Sequence, residues 1–355
     1  MNLTTKKDIR SLTLQDLKSL LVELNQPAFR AQQIYDWLWS KRATSFEEMS
    51  NLSKELRQYL DSQYVFNPVT VSETQLSKDG TVKCAMKLFD NYVVESVLIP
   101  KEKRMTACIS SQVGCSLTCK FCATGKLKRM RNLNVDEIFD QVVLVNEIAL
   151  EHHQLPLSNI VFMGMGEPLL NYKEVLDSIE KITSPSGLGM SPKRITVSTA
   201  GVAKMIQKLG DDKVKFNLAL SLHAANDKKR NEIMPINETN NLDALAESIA
   251  YFYEKTGTRT TFEYIVFKDF NDSLEDAAEL TAYCKKVKSK VNIIEYNPID
   301  EGEFKQTTST RLKAFTDYLT NNGIICNVRK SRGKDIDAAC GQLANKNKLA
   351  QLNLK

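Results

Sequence analysis

Hydrophobic and polar positions change their period twice along the chain, and each period predicts a different kind of element. From residue 12 to about 65, apolar residues recur every three to four positions in LQDLKSLLVELN and FRAQQIYDWLWSKR, with a break at NQP. This spacing predicts a small helical module. Between about 69 and 100, apolar and polar residues alternate in VTVSETQL, TVKCAMKLF and YVVESVLI, which predicts two or three antiparallel strands.

Beyond residue 104, an apolar strand followed by an amphipathic helix recurs six times. The strand segments are MTACIS, NIVFMG, RITVST, FNLALSLH, TTFEYIVF and VNIIEYN, and GIICNVRK predicts one more strand. Such alternation is typical of an α/β fold whose parallel sheet is covered by helices, as a barrel-like array or an open doubly wound sheet. We favour a partial (βα)6 barrel because no glycine-rich dinucleotide fingerprint opens the first unit. Active groups in such barrels lie at the C-terminal ends of the strands.

This interpretation divides the chain into five segments. We expect an N-terminal helical accessory domain at 1–68, a strand extension at 69–100, the barrel core at 101–300, a C-terminal helix, strand and loop at 301–345, and a tail at 346–355. The 355 residues, 42% of them hydrophobic, can bury a large core. Because the sequence has no apolar run long enough for a membrane span, no signal peptide and no exposed heptad pattern, we expect a cytoplasmic monomer.

Three of the eight cysteines, Cys115, Cys119 and Cys122, lie together in GCSLTCKFCATG. In a reducing compartment, clustered thiols indicate a metal site rather than a disulfide framework. A structural zinc site or iron–sulfur cubane normally takes four protein ligands, so three thiolates predict a metal with one open position. Zinc with His152 or His153 as a fourth ligand is the alternative, and ligand softness favours an open iron–sulfur site.

Polar residues follow several of the predicted strands. GMGEP places a glycine pair and a carboxylate after the second strand, where the glycines would let the backbone approach a ligand and the carboxylate could bind its ammonium group. Taken singly, each candidate is explained as well by a loop or cap hydrogen bond. Their shared position at one end of the array favours a common site, formed by Gly166, Glu167, Ser198, Ser221, His223 and Asn297.

Three further residues are candidates for chemistry. Cys340, in DIDAACGQL, precedes a glycine and follows a basic stretch, conditions that favour a thiolate. Cys108, just ahead of the cysteine triplet, is ambiguous by the same criterion. Glu95 interrupts an apolar strand; a half-buried carboxylate there could act as a general acid or base, although a charge on an edge strand is the commoner explanation.

The net charge of +5 permits a polyanionic partner without requiring one. Two basic stretches flank the cysteine sites, and either one alone is explained as well by a solvated surface. Together, beside candidate chemistry, they favour contact with nucleic acid. Their members are Lys126, Lys128, Arg129 and Arg131 in the first stretch, and Arg329, Lys330, Arg332 and Lys334 in the second.

The chain resembles the RlmN/Cfr family of radical S-adenosylmethionine RNA methyltransferases in CISSQVGCSLTCKFCATG, FMGMGEPLLNY, SLHAAN, MPIN and DIDAACGQL. The resemblance implies a radical S-adenosylmethionine partial barrel with the helical domain and a small β extension. It implies a [4Fe-4S] cluster on Cys115, Cys119 and Cys122, whose open iron chelates S-adenosylmethionine. It assigns further contacts with S-adenosylmethionine to Gly166, Glu167, Ser198, Ser221, Leu222, His223 and Asn297.

The same resemblance implies a reaction that consumes two S-adenosylmethionine molecules. One methylates Cys340, and the other yields a 5′-deoxyadenosyl radical that takes hydrogen from the S-methyl group. The methylene then adds to an adenine carbon, Glu95 removes the ring proton, and Cys108 attacks Cys340 to release the product with a disulfide. An external electron donor would reduce the cluster.

The implied substrates are an adenosine of 23S rRNA in the peptidyl-transferase region and an adenosine beside the anticodon of some tRNAs. Pro168 favours methylation of carbon 2, since Cfr-type chains, which act at carbon 8, carry alanine there. A non-catalytic iron–sulfur or zinc RNA-binding protein is a further alternative, and it gives Cys340 no role. The helical module, with Lys41 and Arg42 after Tyr35, Trp37 and Trp39, is either a second RNA contact or a helix packing its aromatic residues inward.

Overall fold

The chain begins with a small helical unit in a computed structural model that describes residues 6–346. The predicted tail therefore lies outside the described residues, except for its first position. The elements of this unit are β1 (Lys7–Asp8), α1 (Leu14–Glu23), α2 (Phe29–Trp39), α3 (Lys54–Gln63) and β2 (Tyr64–Val65). Helix α1 begins with reciprocal capping, because Thr13 and Asp16 each accept the other's backbone N–H through their side chains. Strands β1 and β2 pair in parallel and close the unit.

The rest of the chain forms one large sheet and the helices that cover it. The strands are β3 (Thr70–Leu76), β4 (Val82–Lys87), β5 (Val93–Lys101), β6 (Arg104–Cys108), β7 (Gln112–Val113), β8 (Arg131–Asn132), β9 (Asn159–Phe162), β10 (Ile195–Thr199), β11 (Asn217–Ser221), β12 (Thr260–Val266), β13 (Ser289–Glu295) and β14 (Cys326–Arg329). The helices are α4 (Val135–His153), α5 (Tyr172–Thr183), α6 (Ala203–Asp211), α7 (Asp227–Ile233), α8 (Leu242–Thr256), α9 (Leu274–Lys286) and α10 (Ser309–Asn321).

The large sheet has the strand order β14-β13-β12-β11-β10-β9-β6-β5-β4-β3, and β7 with β8 forms a separate ribbon. From β6 to β14 every neighbouring pair is parallel, which confirms the predicted barrel-type α/β fold. The strand extension forms three antiparallel strands that continue this sheet beyond β6. Central strand β12 is buried at all seven positions, as expected where helices cover a parallel sheet.

The helical unit packs on the barrel through α4. Trp39 is 2% exposed, and its ring meets Phe139 edge-on at a centroid distance of 5.3 Å. The buried guanidinium of Arg10 pairs with Asp140 at 2.8 Å and with Asp136 at 3.4 Å. The inward-packing interpretation of the aromatic residues is therefore correct for Trp39.

The segment after β14 crosses to the β3–β4 hairpin. Ser77 donates its hydroxyl to Asp335 at 2.5 Å, and Gly333 donates its N–H to Asp79 at 3.0 Å. This C-terminal segment, residues 330–346, thereby places Cys340 over the carboxyl ends of the parallel strands. Within residues 6–346, no helix has the length and apolar character needed to cross a membrane.

Candidate functional site

The cysteine triplet lies on the loop between β7 and β8, where its three thiols line one cavity. This cavity holds about 890 Å³, counted to its open mouth. Gly114 allows the loop to fold back, since it has φ +72° and an added Cβ would lie 2.2 Å from the Lys128 carbonyl oxygen. The turn is tightened by a hydrogen bond from the Cys122 N–H to the Cys119 carbonyl oxygen at 3.2 Å. Neighbouring cysteines in sequence thus become neighbours around one space.

The electrostatics of the triplet fit a bound cationic cluster. Burial, with a smaller contribution from the adjacent Cys122 thiol, raises the pKa of Cys115 to about 11. Burial also raises the pKa of Cys119, as do both other thiols, while the Arg230 guanidinium opposes them. Three thiolates here would repel one another without a metal, and metal binding supplies the charge that lets such thiols lose their protons. The donor set therefore fits an iron–sulfur cluster.

The zinc alternative fits less well. Across residues 6–346, no three Cys, His, Asp or Glu side chains converge as ligands of a single metal ion. A cubane does not require such convergence, because each thiolate binds a different iron. His153 places Nε2 3.2 Å from the Gly80 carbonyl oxygen, near the end of α4 that leads into the opposite end of the barrel. The sulfur ligands therefore suit a cluster better than a zinc ion completed by a histidine from α4.

Ends of parallel strands form the floor of the cavity. The hydroxyls of Ser198 on β10 and Ser221 on β11 are 3.5 Å apart, and both residues line the cavity. His223 has φ +57° and accepts the Ile265 N–H at Nδ1, 3.1 Å away. Burial and nearby Arg230 lower the pKa of His223 to about 3, so its imidazole is neutral. The three side chains offer hydrogen-bonding groups without charge.

The glycines of the GMGEP turn line the cavity and also pack closely against the chain. A Cβ on Gly166, where φ is +95°, would lie 2.5 Å from Cβ of Gln112, and one on Gly164 would lie 2.7 Å from the Ile109 carbonyl carbon. The glycines thus let this turn pack against the chain between β6 and β7. Glu167 is 3% exposed and accepts the N–H groups of Ala200 at 2.7 Å and Leu169 at 3.0 Å. Burial raises its pKa.

The remaining two candidates for binding S-adenosylmethionine, Leu222 and Asn297, make hydrogen bonds within the chain. Leu222 is fully buried and donates its N–H to the Glu263 carbonyl oxygen at 3.0 Å. Asn297 donates from Nδ2 to the Cys340 carbonyl oxygen at 3.3 Å. Its Oδ1 is buried without a hydrogen-bond partner among the described residues. Asn297 therefore anchors the Cys340 loop and keeps one acceptor available.

The structure brings Cys340 to the cysteine triplet on one side and to Cys108 on the other. Cys340 lines the cavity of the triplet and also a second cavity of about 550 Å³, which Cys108 lines as well. The loops interlock, since Ala123 donates its N–H to the Gly341 carbonyl oxygen at 2.7 Å. Burial, with a smaller contribution from the nearby Cys340 thiol, raises the pKa of Cys108 to about 12. Both cysteines are free thiols.

Glu95 lies on an interior strand, so its interpretation as an edge-strand charge is wrong. It is 2% exposed, and its carboxylate lies 3.7 Å from the Lys83 ammonium. One carboxylate oxygen accepts the N–H groups of Ala344 at 2.9 Å and Asn345 at 3.0 Å. In this arrangement Glu95 holds the segment that carries Cys340.

Sequence reasoning missed the roles of Arg329, Glu263 and Arg230. Arg329, expected to contact nucleic acid, lines both cavities and pairs with Glu263 at 3.3 Å. A charge inside the apolar strand TTFEYIV was the signal that could have identified Glu263. Arg230 is fully buried and donates to the carbonyl oxygens of Ala200 at 2.6 Å and Ser221 at 3.1 Å. It thereby fixes the ends of β10 and β11.

The first basic stretch is also only partly a surface. Arg131 pairs with Asp90 at 2.5 Å and with Glu137 at 2.7 Å. It therefore stabilises the β7–β8 ribbon instead of offering its charge to a polyanionic partner. Lys128 and Arg129 are exposed beside the cysteine loop. These two residues keep the position expected of phosphate contacts.

Comparison with known proteins relates the whole chain to one enzyme family. Residues 7–65 match the model of the Ribosomal RNA large subunit methyltransferase N-terminal domain, and residues 109–281 match that of the Radical SAM superfamily. The chain is 62% identical to a probable dual-specificity RNA methyltransferase RlmN of Cytophaga hutchinsonii, over 96% of this chain and 93% of the relative. It is 59% identical to a protein of the same description from Christiangramia forsetii, over 96% and 97%.

A solved structure supports the same relationship. The crystal structure of a radical SAM methyltransferase from Sphaerobacter thermophilus is 36% identical to this chain and superposes with a TM-score of 0.88. The match covers 95% of this chain and 99% of that one. The similarity therefore includes the helical unit, the barrel and the C-terminal segment.

Proposed function

The chain belongs to the RlmN family of radical S-adenosylmethionine RNA methyltransferases, and from this premise we propose that it methylates carbon 2 of specific adenosines in RNA. The proposed substrates are an adenosine in the peptidyl-transferase region of 23S rRNA and the adenosine beside the anticodon in some tRNAs. The proposed methyl carrier is Cys340. Pro168 supports carbon 2 over carbon 8.

We assign the cluster to Cys115, Cys119 and Cys122. When bound, the reduced [4Fe-4S] cluster supplies the electron that cleaves S-adenosylmethionine into a reactive radical. Ser198, Ser221 and neutral His223 would orient that molecule through uncharged hydrogen bonds. Glu167 shapes the wall beside it by holding the Ala200 and Leu169 amides, and the open acceptor of Asn297 faces a buried position.

Cys340, Cys108 and Glu95 each carry out one part of the methyl transfer to the adenine carbon. Cys340 accepts a methyl group from one S-adenosylmethionine and carries it through hydrogen abstraction by a radical derived from a second. Cys108 then displaces the product from the Cys340 sulfur. Glu95 takes the ring proton, for which the Ala344 and Asn345 amides must first release its carboxylate.

The observation that carries this proposal is the position of Cys340 in the walls of two cavities at once. One cavity holds the thiol triplet, and the other holds Cys108. A methyl carrier must face the source of its radical and its resolving thiol within one turnover. A protein that merely bound RNA through a structural metal would gain nothing from this arrangement.

We further propose that the RNA base is unstacked to reach this buried site, with Lys128 and Arg129 among the phosphate contacts. Binding should then weaken as salt concentration rises. The proposal includes an external electron donor for the cluster, a monomeric enzyme and a location in the cytoplasm.

The test is the replacement Cys340→Ala in reconstituted enzyme, assayed by mass spectrometry of digested RNA against 2-methyladenosine and 8-methyladenosine standards. We expect loss of 2-methyladenosine, near-normal RNA affinity and an S-methyl group on Cys340 of the wild-type enzyme. The control is Cys284→Ala, because that buried thiol lies on α9, away from both cavities. Unchanged methylation by Cys340→Ala would overturn the proposal, and 8-methyladenosine would overturn the assignment of carbon 2.

A further inference from the structure

Two charged side chains at the site have no task in the reaction as proposed. Glu263 is 4% exposed in the middle of β12. One of its carboxylate oxygens accepts from Nδ2 of Asn292 at 2.8 Å, and the other accepts from Nη1 of Arg329 at 3.3 Å. Burying a charge is costly unless it is paired and hydrogen-bonded. The buried carboxylate of Glu263 therefore needs a charged partner, and Arg329 is that partner.

Arg329 ends strand β14 at the boundary between the two cavities, which it lines together with Cys340. Cys108 lines the second of them. The guanidinium lowers the pKa of both thiols against the effect of burial. The Glu263 carboxylate and the Cys122 thiol act on Cys340 in the opposite direction and raise its pKa. Arg329 is thus a cation whose charge acts on both sulfurs.

Two other cations border the second cavity, and their positions differ. Arg332 points its guanidinium at the Asp79 carbonyl oxygen, 3.4 Å away on the β3–β4 hairpin. Lys330 is exposed. Of these three cations along the second cavity, Arg329 is the one that pairs with a buried carboxylate, which holds its charge at the boundary of the two cavities.

We propose that Arg329, oriented by Glu263, is a positioning residue for product release, in which it stabilises the negative charge shared by the Cys108 and Cys340 sulfurs. This inference rests on the proposed function. In the step, the Cys108 sulfur bonds to the Cys340 sulfur, and the bond between Cys340 and the methylene carbon breaks. The electron pair stays on that carbon, which takes a proton and becomes the product methyl group. The carbon gains two electrons, and the sulfurs lose two as the Cys108 thiol and the Cys340 thioether become a disulfide.

Release should depend on Arg329 more than the first methyl transfer does. When Cys340 is methylated, the sulfonium of S-adenosylmethionine brings its own positive charge to the sulfur. When Cys108 attacks, that sulfonium has been consumed, and burial raises the pKa of the attacking thiol while the Arg329 guanidinium opposes the rise. A cation held beside the sulfurs favours the thiolate that makes the attack.

The test compares Arg329→Met, Arg329→Lys and Glu263→Gln in reconstituted enzyme, with S-adenosylmethionine and an unmodified 23S rRNA transcript at saturating concentration. We expect Arg329→Met to keep its cluster absorbance, its 5′-deoxyadenosine formation and its S-methyl group on Cys340. It should accumulate a covalent protein–RNA adduct on denaturing gels and release product at least tenfold more slowly. Arg329→Lys should recover part of the rate, and Glu263→Gln should lie between.

Two controls separate this inference from simpler explanations. Arg194→Met removes an exposed cation from the opposite end of β10 and should release product at the wild-type rate. Cys108→Ala should accumulate the adduct at every pH, whereas the pH–rate profile of release by Arg329→Met should be displaced to higher pH than that of the wild type, because loss of the guanidinium raises the pKa of Cys108 further. A residue with a merely structural role would lower the rate of release without displacing this profile.

The outcomes distinguish the inference from the proposed function. If Cys108→Ala forms the adduct while Arg329→Met releases product like the wild type, the inference fails and the proposed function stands. An unmethylated Cys340 in Arg329→Met, or weaker RNA binding as its only defect, would also overturn it. If neither the wild type nor Cys108→Ala ever carries a methyl or RNA adduct on Cys340, the proposed function itself fails.

Discussion

Arg230→Met should destabilise the protein strongly, because it removes the cation that ties the strand ends beneath the cavity. Arg230 is fully buried and donates to four neutral acceptors, on Ala200, Ser221, Leu222 and Asn237. At about 1.5–3 kcal/mol for each hydrogen bond from a charged donor, the four total about 6–12 kcal/mol. Methionine fills most of the volume, and the desolvation penalty of the guanidinium disappears. We expect a net loss of about 3–5 kcal/mol in the free energy of unfolding.

Urea unfolding of the metal-free chain, followed by circular dichroism, measures this loss. Burial lowers the pKa of Arg230 to about 10, so the guanidinium stays charged at pH 7 and the expected loss applies there. Arg194→Met is the matched control, since the same change at an exposed position should cost less than about 0.5 kcal/mol. S-adenosylmethionine binding by the reconstituted variant should also weaken, because Ser221 and Ala200 border the cavity.

A loss below about 1 kcal/mol for Arg230→Met would refute the reasoning. It would mean that water satisfies the exposed carbonyl oxygens as well as the guanidinium does. A full loss of stability with unchanged S-adenosylmethionine affinity would refute only the link between the strand ends and the cavity.

Three further predictions concern other parts of the molecule. Trp39→Ala should cost about 3–5 kcal/mol and speed protease cleavage of the helical unit; cleavage at the wild-type rate would contradict its docking role. Gly166→Ala should weaken S-adenosylmethionine binding, measured by equilibrium dialysis, while Gly189→Ala, which meets no atom within 4 Å, should not. Burial raises the pKa of Asp136 to about 7, opposed by Arg10. The folded state therefore binds this proton more tightly than the unfolded state does. The contribution of Asp136 to the free energy of unfolding is largest below about pH 4 and is lost as the pH rises to about 7. Asp136→Asn should flatten that fall in urea titrations, and an unchanged slope would disprove the assignment.

The elements and the thiol triplet could be predicted because they depend on local spacing. The triplet spans only eight residues. The strand–helix units can be predicted because strands and helices have different hydrophobic periods. Ser198 and Ser221 could be grouped because parallel strands bring their carboxyl ends to one edge. Nothing more than this rule was needed to place them together.

Pairings between distant segments could not be predicted from the same patterns. In the sequence, Arg329 is one of four basic residues within six positions. Only the register of β12 and β14 on either side of β13 gives it Glu263 as a partner. The interior position of Glu95 depends on β5 pairing with both β4 and β6, which alternation alone does not specify. From the sequence alone, the glycines of GMGEP could equally form a turn around a ligand or allow close packing against Gln112.

The docking of the C-terminal segment has a consequence for how the protein matures. The hydrogen bond between Ser77 and Asp335 joins positions 258 residues apart, so it closes one of the longest loops within residues 6–346. Contacts across so long a loop form after the local strand–helix units have folded. Until then, the wall that Cys340 and Gly341 contribute is missing, and the thiol triplet can be reached from that side. We therefore expect metal insertion to precede closure, with the methyl carrier arriving as the last part of the site.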